Sequence, residues 1–206
     1  MKIYKLTERF RDDLPYADRI REKQKHEDSL WDKIGRRIPW IIEPSSTRQD
    51  QAGVDAFVTG FKKGDDILPL GTPKTIQLKM RQSGDDVLME TVQPLIINED
   101  GSIEYNGLTG RDLKVTVDFY FCVDTTSTLR IFKGIDLKNI ATTMTESFIQ
   151  TLRNDSSQYV QSFPEGEVRA VVDPSNEANY NLGKVTKVVV FINPAVVNPE
   201  YTVKMT

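Results

Sequence analysis

Two residue types that dominate metal and redox chemistry are almost missing from this 206-residue chain: it has one cysteine, Cys122, and one histidine, His26. With one of each, zinc sites, haem ligation and Cys/His catalysis are not expected. A single cysteine cannot close an internal disulfide, which fits a reducing cytoplasm. Cys122 lies in the apolar run Val117-Asp118-Phe119-Tyr120-Phe121-Cys122-Val123 and reads as strand filler. No stretch approaches the roughly 18 consecutive apolar residues of a membrane helix. The N-terminus, Met1-Lys2-Ile3-Tyr4-Lys5, lacks the apolar core of a signal peptide. The expectation is a cytoplasmic protein with no membrane partner. No phosphate-cradling Gly-rich loop and no dinucleotide fingerprint occur, so NTPase and dehydrogenase chemistry are excluded as well.

Hydrophobic residues make up 38% of the chain and charged residues 28%. That is polar for a globular protein, yet rich enough in apolar side chains to bury a core and fold. A net charge of −3 argues against a general nucleic-acid binder. Its distribution points the other way. Residues 1–81 carry 17 Lys/Arg against 13 Asp/Glu, whereas residues 82–206 carry 10 against 17. The basic excess sits in the N-terminal part, as an electrostatic footprint for phosphates requires.

Hydrophobic periodicity predicts a helix over about 15–37, with Ile20, Trp31, Ile34 and Ile38 on one stripe and Pro39 ending it. Glu27 falls on that stripe, where a carboxylate either has a partner or faces a cleft. Strands follow at Trp40-Ile41-Ile42, at 54–61 and at 74–81, the last two separated by a Gly/Pro-rich loop. Further strands are expected at 87–92, 114–123 and 128–132, with an Asn106-Gly107 hairpin signal between the first two. An amphipathic helix opens at Asp136, with Leu137, Ile140, Met144, Phe148 and Leu152 on one face. The tail, 184–193 and 200–205, is strand-like. This order predicts an α/β (mixed α+β) single domain over 1–206, with its core at about 15–155 and a C-terminal extension of extra strands at 156–206.

The most informative pattern is Gly53-Val54-Asp55-Ala56-Phe57-Val58 followed by Thr75-Ile76-Gln77-Leu78-Lys79-Met80-Arg81. On a strand, Gln77, Lys79 and Arg81 share one face while Ile76, Leu78 and Met80 take the other. An acid closing a turn at the head of the preceding strand would converge with them. Such an oxygen-rich corner with a lysine beside it suits a hard cation and an activated water. Asp55 would be the principal metal ligand and Gln77 a neutral one through its amide oxygen. Lys79 would orient water or neutralise developing charge, and Arg81 could clamp a phosphate. Lys74 and the turn lysines Lys62 and Lys63 are candidate phosphate contacts. The alternative is that Asp55 caps a turn while Gln77 and Lys79 decorate a solvated edge.

At these residues the chain resembles the PD-(D/E)xK nuclease superfamily, whose pattern is an Asp at the start of one strand, a variable loop, and Asp/Glu-x-Lys on the next. Asp55 matches the first acid and Lys79 the lysine. Gln77 replaces the second acid, as it does in some members. The resemblance covers roughly 15–155 and implies a restriction-endonuclease-like core, a central mixed sheet flanked by helices. It also implies a metal-dependent nuclease using Mg²⁺ or Mn²⁺, with DNA favoured over RNA and a homodimer plausible for double-strand cutting. By position, Glu27 matches the helix-borne Glu that completes the metal site in many members. The Gln at position 77 and the acidic C-terminal half favour the opposing expectation, a non-catalytic binding or structural protein.

Overall fold

The computed structural model describes residues 28–45, 53–80, 86–98, 100–172 and 184–205. They form a mixed α+β protein, mostly sheet, in two compact units. The first takes its described residues from 28–80, 117–131 and 200–205, the second from 86–116 and 132–199.

The first unit holds a six-stranded mixed sheet. Residues 28–35 are helical and lead into β1 (Trp40–Pro44). Then come β2 (Ala56–Lys63) and β3 (Asp66–Met80), each antiparallel to the one before, while β6 (Phe119–Val123) lies parallel to β3. β7 (Thr128–Lys133) and β11 (Tyr201–Lys204) complete the sheet, paired antiparallel to each other, for a strand order of β1-β2-β3-β6-β7-β11. Period-2 alternation gives this sheet a buried face. Ala56, Val58, Ile76, Phe121, Leu129 and Ile131 pack there with Trp31, Ile34 and Ile38 from the helical segment. Trp40 joins them, with its ring 5.1 Å from that of Phe119 and 5.6 Å from that of Phe121.

The second unit holds a five-stranded antiparallel sheet built from β4 (Val87–Ile97), β5 (Ile103–Tyr105), β8 (Val160–Phe163), β9 (Gly166–Val172) and β10 (Lys184–Ile192), in the order β5-β4-β10-β9-β8. The short helix α1 (Arg111–Lys114) packs on β4, and the long helix α2 (Gly134–Asn154) packs across β4, β9 and β10. Leu137, Met144, Phe148 and Leu152 lie buried on α2, as its periodicity predicts, whereas Ile140 is only half-buried and Ala141 takes the buried place beside it. One polar tie is buried with them: Thr145 Oγ1 donates to Thr91 Oγ1 at 2.9 Å.

Three local expectations differ from the structure. The Gly/Pro-rich stretch before Lys74 is strand rather than loop, so β3 runs 15 residues and joins β2 through the two-residue turn Gly64-Asp65. Prolines at 69 and 73 are tolerated because β6 pairs with β3 only from Ile76 onward, leaving Asp66–Thr75, among the described residues, with a strand neighbour on one side. The hairpin turn that follows β4 is made around Asn98 and Gly101, not Asn106-Gly107; Gly107 uses its positive φ of 80° in the approach to α1. Finally, residues 111–114 are helical, and the strand expected from 114 begins at Phe119. The C-terminal extension supplies strands to both sheets, β11 to the first and β8–β10 to the second.

Close backbone approach at the β2–β3 irregularity requires a glycine. A Cβ on Gly60 would lie 2.8 Å from the Leu68 carbonyl oxygen and 3.3 Å from the Pro69 Cα, both fixed by pairing. A Cβ on Gly71, in the same strand as Leu68, would meet nothing within 4 Å. Gly60→Ala is therefore expected to destabilise the protein by about 1–3 kcal/mol, and Gly71→Ala to be neutral or slightly stabilising. Urea denaturation midpoints measure both; equal midpoints for the two variants contradict this packing.

Candidate metal and nucleic-acid site

β2 and β3 separate at the site. Their pairing ends at Ala56 opposite Ile76, and the Asp55 carbonyl instead accepts the Ser45 N–H at 3.0 Å. Leu78 then presents its N–H on the side β2 has left. A buried or half-buried N–H needs an acceptor, and the Asp55 side chain provides it: Asp55 Oδ2 accepts the Leu78 N–H at 2.6 Å. The Asp55 N–H in turn donates to the Ile76 carbonyl at 2.9 Å. The carboxylate is thus anchored on β3 at the residue between Gln77 and Lys79.

Ile76 and Leu78 face the hydrophobic core, so Gln77 and Lys79 share the opposite face. That face is not a solvated edge at Gln77, which is 4% exposed. Lys79 is half-buried, and the parallel register sets Gln77 beside Tyr120 and Lys79 beside Cys122. Tyr120 is fully buried, and the Lys79 ammonium lies 6.0 Å from the centroid of its ring. The structure thus sets the Asp55 carboxylate against the backbone of Leu78, the residue between Gln77 and Lys79 in β3. Glu27 and Arg81 lie outside the described residues, as do His26 and Asp50. Among the described residues, no group of three or more His, Cys, Asp or Glu side chains gathers to hold a metal.

The candidate phosphate contacts are dispersed. Lys74 Nζ pairs with Asp118 Oδ1 at 3.1 Å, so its charge is partly met within the protein. Lys62 Nζ donates to the Gly35 carbonyl at 3.2 Å. With Arg36, Trp31 and Trp40 it lines a cavity of about 460 Å³. Lys63 is exposed beside the β2–β3 turn.

Two aspartates that the sequence did not single out hold the strands beneath this site. Asp118 Oδ2 accepts both the N–H and the hydroxyl of Thr75 at 2.9 Å, while the Asp118 N–H donates to Thr75 Oγ1. This reciprocal clamp starts the parallel β3–β6 pairing. Burial pushes the Asp118 carboxyl up, but the hydrogen bonds from Thr75 and Lys74 outweigh it and hold the pKa below the ordinary value. Asp124 organises the β6–β7 turn. Its Oδ1 accepts the N–H groups of Thr126 and Thr128 and the Thr126 hydroxyl, and its Oδ2 accepts from the Arg130 guanidinium at 2.7 Å. There too burial raises the pKa and the bonds from Thr128, Thr126 and Arg130 lower it further, leaving it depressed. The signal for Asp118 was an acid interrupting an apolar strand run; for Asp124, an Asp-Thr-Thr-Ser turn before a strand.

No protein-family model matches the chain, and no match was found among curated proteins or among solved structures. No helix among the described residues is long and apolar enough to cross a membrane.

The depressed carboxyls fix the sign of the acid response. Both aspartates bind protons less readily folded than unfolded, so their stabilisation is complete above the ordinary aspartate pKa of about 3.9. It is lost as pH falls through the lower folded values. Urea midpoints should therefore fall steeply below about pH 4. Asp124→Asn should cost about 2–4 kcal/mol at pH 7 and make the acid fall shallower. An unchanged acid slope in that variant contradicts the assignment.

Proposed function

We propose that this protein is a metal-dependent nuclease that hydrolyses phosphodiester bonds in DNA, with a restriction-endonuclease-like core in its first unit. The observation that carries the reading is the Asp55–Leu78 hydrogen bond, which seats a carboxylate at the head of β2 between Gln77 and Lys79 of the adjacent strand. This placement supports the reading of Asp55, Gln77 and Lys79 as an Asp, then Asp/Glu-x-Lys pattern with Gln in the second acid's place.

The donor set suits a hard cation that keeps much of its water. Mg²⁺ is commonly held by one or two carboxylates, with waters and substrate phosphate completing its shell. An ionised carboxylate has roughly four acceptor sites, so the bond to Leu78 orients Asp55 without exhausting it. Asp55 and the Gln77 amide oxygen would hold Mg²⁺ or Mn²⁺, with Glu27 as a further ligand. The bound metal supplies a water acidic enough to ionise near neutral pH and positive charge at the phosphoryl oxygens. Lys79 steers the attacking water in line with the scissile phosphorus and offsets charge growing on the phosphorane oxygens. With one carboxylate at this corner instead of two, a metal would be held less tightly and would be more electrophilic. Lys62, Lys63, Lys74 and Arg81 supply backbone phosphate contacts, and a homodimer would set two such sites on the two strands of a duplex.

A non-catalytic reading rests on the same bond. At 2.6 Å the Asp55 carboxylate satisfies a strand N–H, which is a structural task that a decayed nuclease fold or an assembly subunit would retain. Cleavage assays separate the two.

Asp55→Asn keeps an amide oxygen for the Leu78 N–H while removing the charge, so it should fold and lose Mg²⁺-dependent plasmid cleavage by about 100-fold or more. Lys79→Ala should lose a comparable factor. Wild-type rates in either variant would rule the site out. Gln77→Glu restores an anionic ligand and should lower the Mg²⁺ concentration for half-maximal activity. If neither that concentration nor the calorimetric Mg²⁺ affinity moves, Gln77 is not a ligand.

A further inference from the structure

Lys79 carries a long, flexible side chain, and a lysine that orients water must be held at one place. The backbone alone does not hold it. The parallel β3–β6 register places Tyr120 directly beside Gln77 and diagonally beside Lys79, on the same face of the sheet. The Tyr120 side chain is fully buried, so its ring has one orientation. The Lys79 ammonium stands 6.0 Å from the ring centroid, at the reach of a cation–π attraction. Tyr120 is among the largest fully buried side chains and lies on the face opposite Phe119 and Phe121.

We infer that Tyr120 is the positioning residue for Lys79: its buried ring face holds the ammonium at the edge of the Asp55–Gln77 corner. The inference rests on the nuclease reading for its catalytic consequence, though the contact itself can be measured without any activity. It also predicts which part of the tyrosine matters. The ring does the positioning, so the hydroxyl is dispensable to it, and Tyr120→Phe preserves the effect where Tyr120→Leu removes it. The contribution is to placement rather than to substrate binding, so it appears in kcat and not in KM.

The test combines two readouts on wild type, Tyr120→Phe and Tyr120→Leu. In NMR spectra with isotopically labelled lysine, the ε-methylene protons of Lys79, assigned through Lys79→Arg, should be displaced upfield by the aromatic ring current. That displacement should persist in Tyr120→Phe and collapse in Tyr120→Leu, at temperatures where denaturation shows each variant folded. With plasmid as substrate, Tyr120→Leu should lower kcat by about tenfold with KM unchanged, and Tyr120→Phe should stay within about twofold of wild type. A Lys79 signal identical in wild type and folded Tyr120→Leu overturns the inference. So does a Tyr120→Leu defect confined to KM, or one that Tyr120→Phe shares in full. Should Tyr120→Leu fail to fold, Tyr120→Met takes its place in both measurements. If wild type cleaves nothing, the nuclease reading fails, and the ring-current displacement alone decides whether Tyr120 holds Lys79.

Discussion

One hydrogen bond organises the candidate site: the 2.6 Å contact from the Leu78 N–H to Asp55 Oδ2. It arises because two strands part company while one of them continues. β3 runs on to Met80 beside β6, whereas β2 begins only at Ala56, and the half-buried N–H left behind has to be met. A side-chain carboxylate meets it, and the same act brings negative charge to the residue flanked by Gln77 and Lys79. The bond that the strand requires at Asp55 is therefore also the one on which the proposed site depends. Below that point, the Asp118–Thr75 clamp fixes where the parallel pairing starts and Asp124 fixes the turn that returns the chain as β7. A one-residue slip of β3 against its neighbours would turn Gln77 and Lys79 toward the hydrophobic face.

The sheet itself is asymmetric in a way that suits this role. One face is closed by Trp31, Ile34 and Ile38 against Val58, Ile76 and Phe121. The other carries the polar pair, with Gln77 shielded from water and Lys79 partly so. Charges in a shielded position act on a phosphate more strongly than the same charges in bulk water. The lysines farther out, Lys62 and Lys74, are tied to a carbonyl and to Asp118, which sets them in place without removing them from reach of solvent.

Much of this was legible in the residues because the deciding pattern is short and local. Alternation around Ile76-Gln77-Leu78-Lys79 assigns the two faces, and the apolar stripe of the 134–154 helix is plain in the spacing of Leu137, Met144, Phe148 and Leu152. What escaped local reading depends on neighbours. Gly71, Pro69 and Pro73 look like a loop, yet they sit in β3, where that stretch has, among the described residues, a strand on one side only. Asn106-Gly107 is a strong turn signal, but the hairpin turn falls around Asn98 and Gly101, where Asn98 bonds both Ser102 and Glu104. β8 and β9 lack clean alternation and form a hairpin whose identity is settled by pairing with β10. The Tyr120–Lys79 contact was not legible because nothing in an apolar run says which aromatic lies beside a lysine 41 positions earlier; only the β3–β6 register does.

The central claim is that Asp55 and Gln77 form a cation site on the β2–β3 pair. Crystals of the wild-type protein soaked in Mn²⁺ and measured at the manganese absorption edge test it directly. The account predicts an anomalous difference peak about 2.1–2.3 Å from an Asp55 carboxylate oxygen and the Gln77 amide oxygen, with the Leu78 hydrogen bond intact. A fully occupied manganese site elsewhere, with no density at this corner, would contradict it.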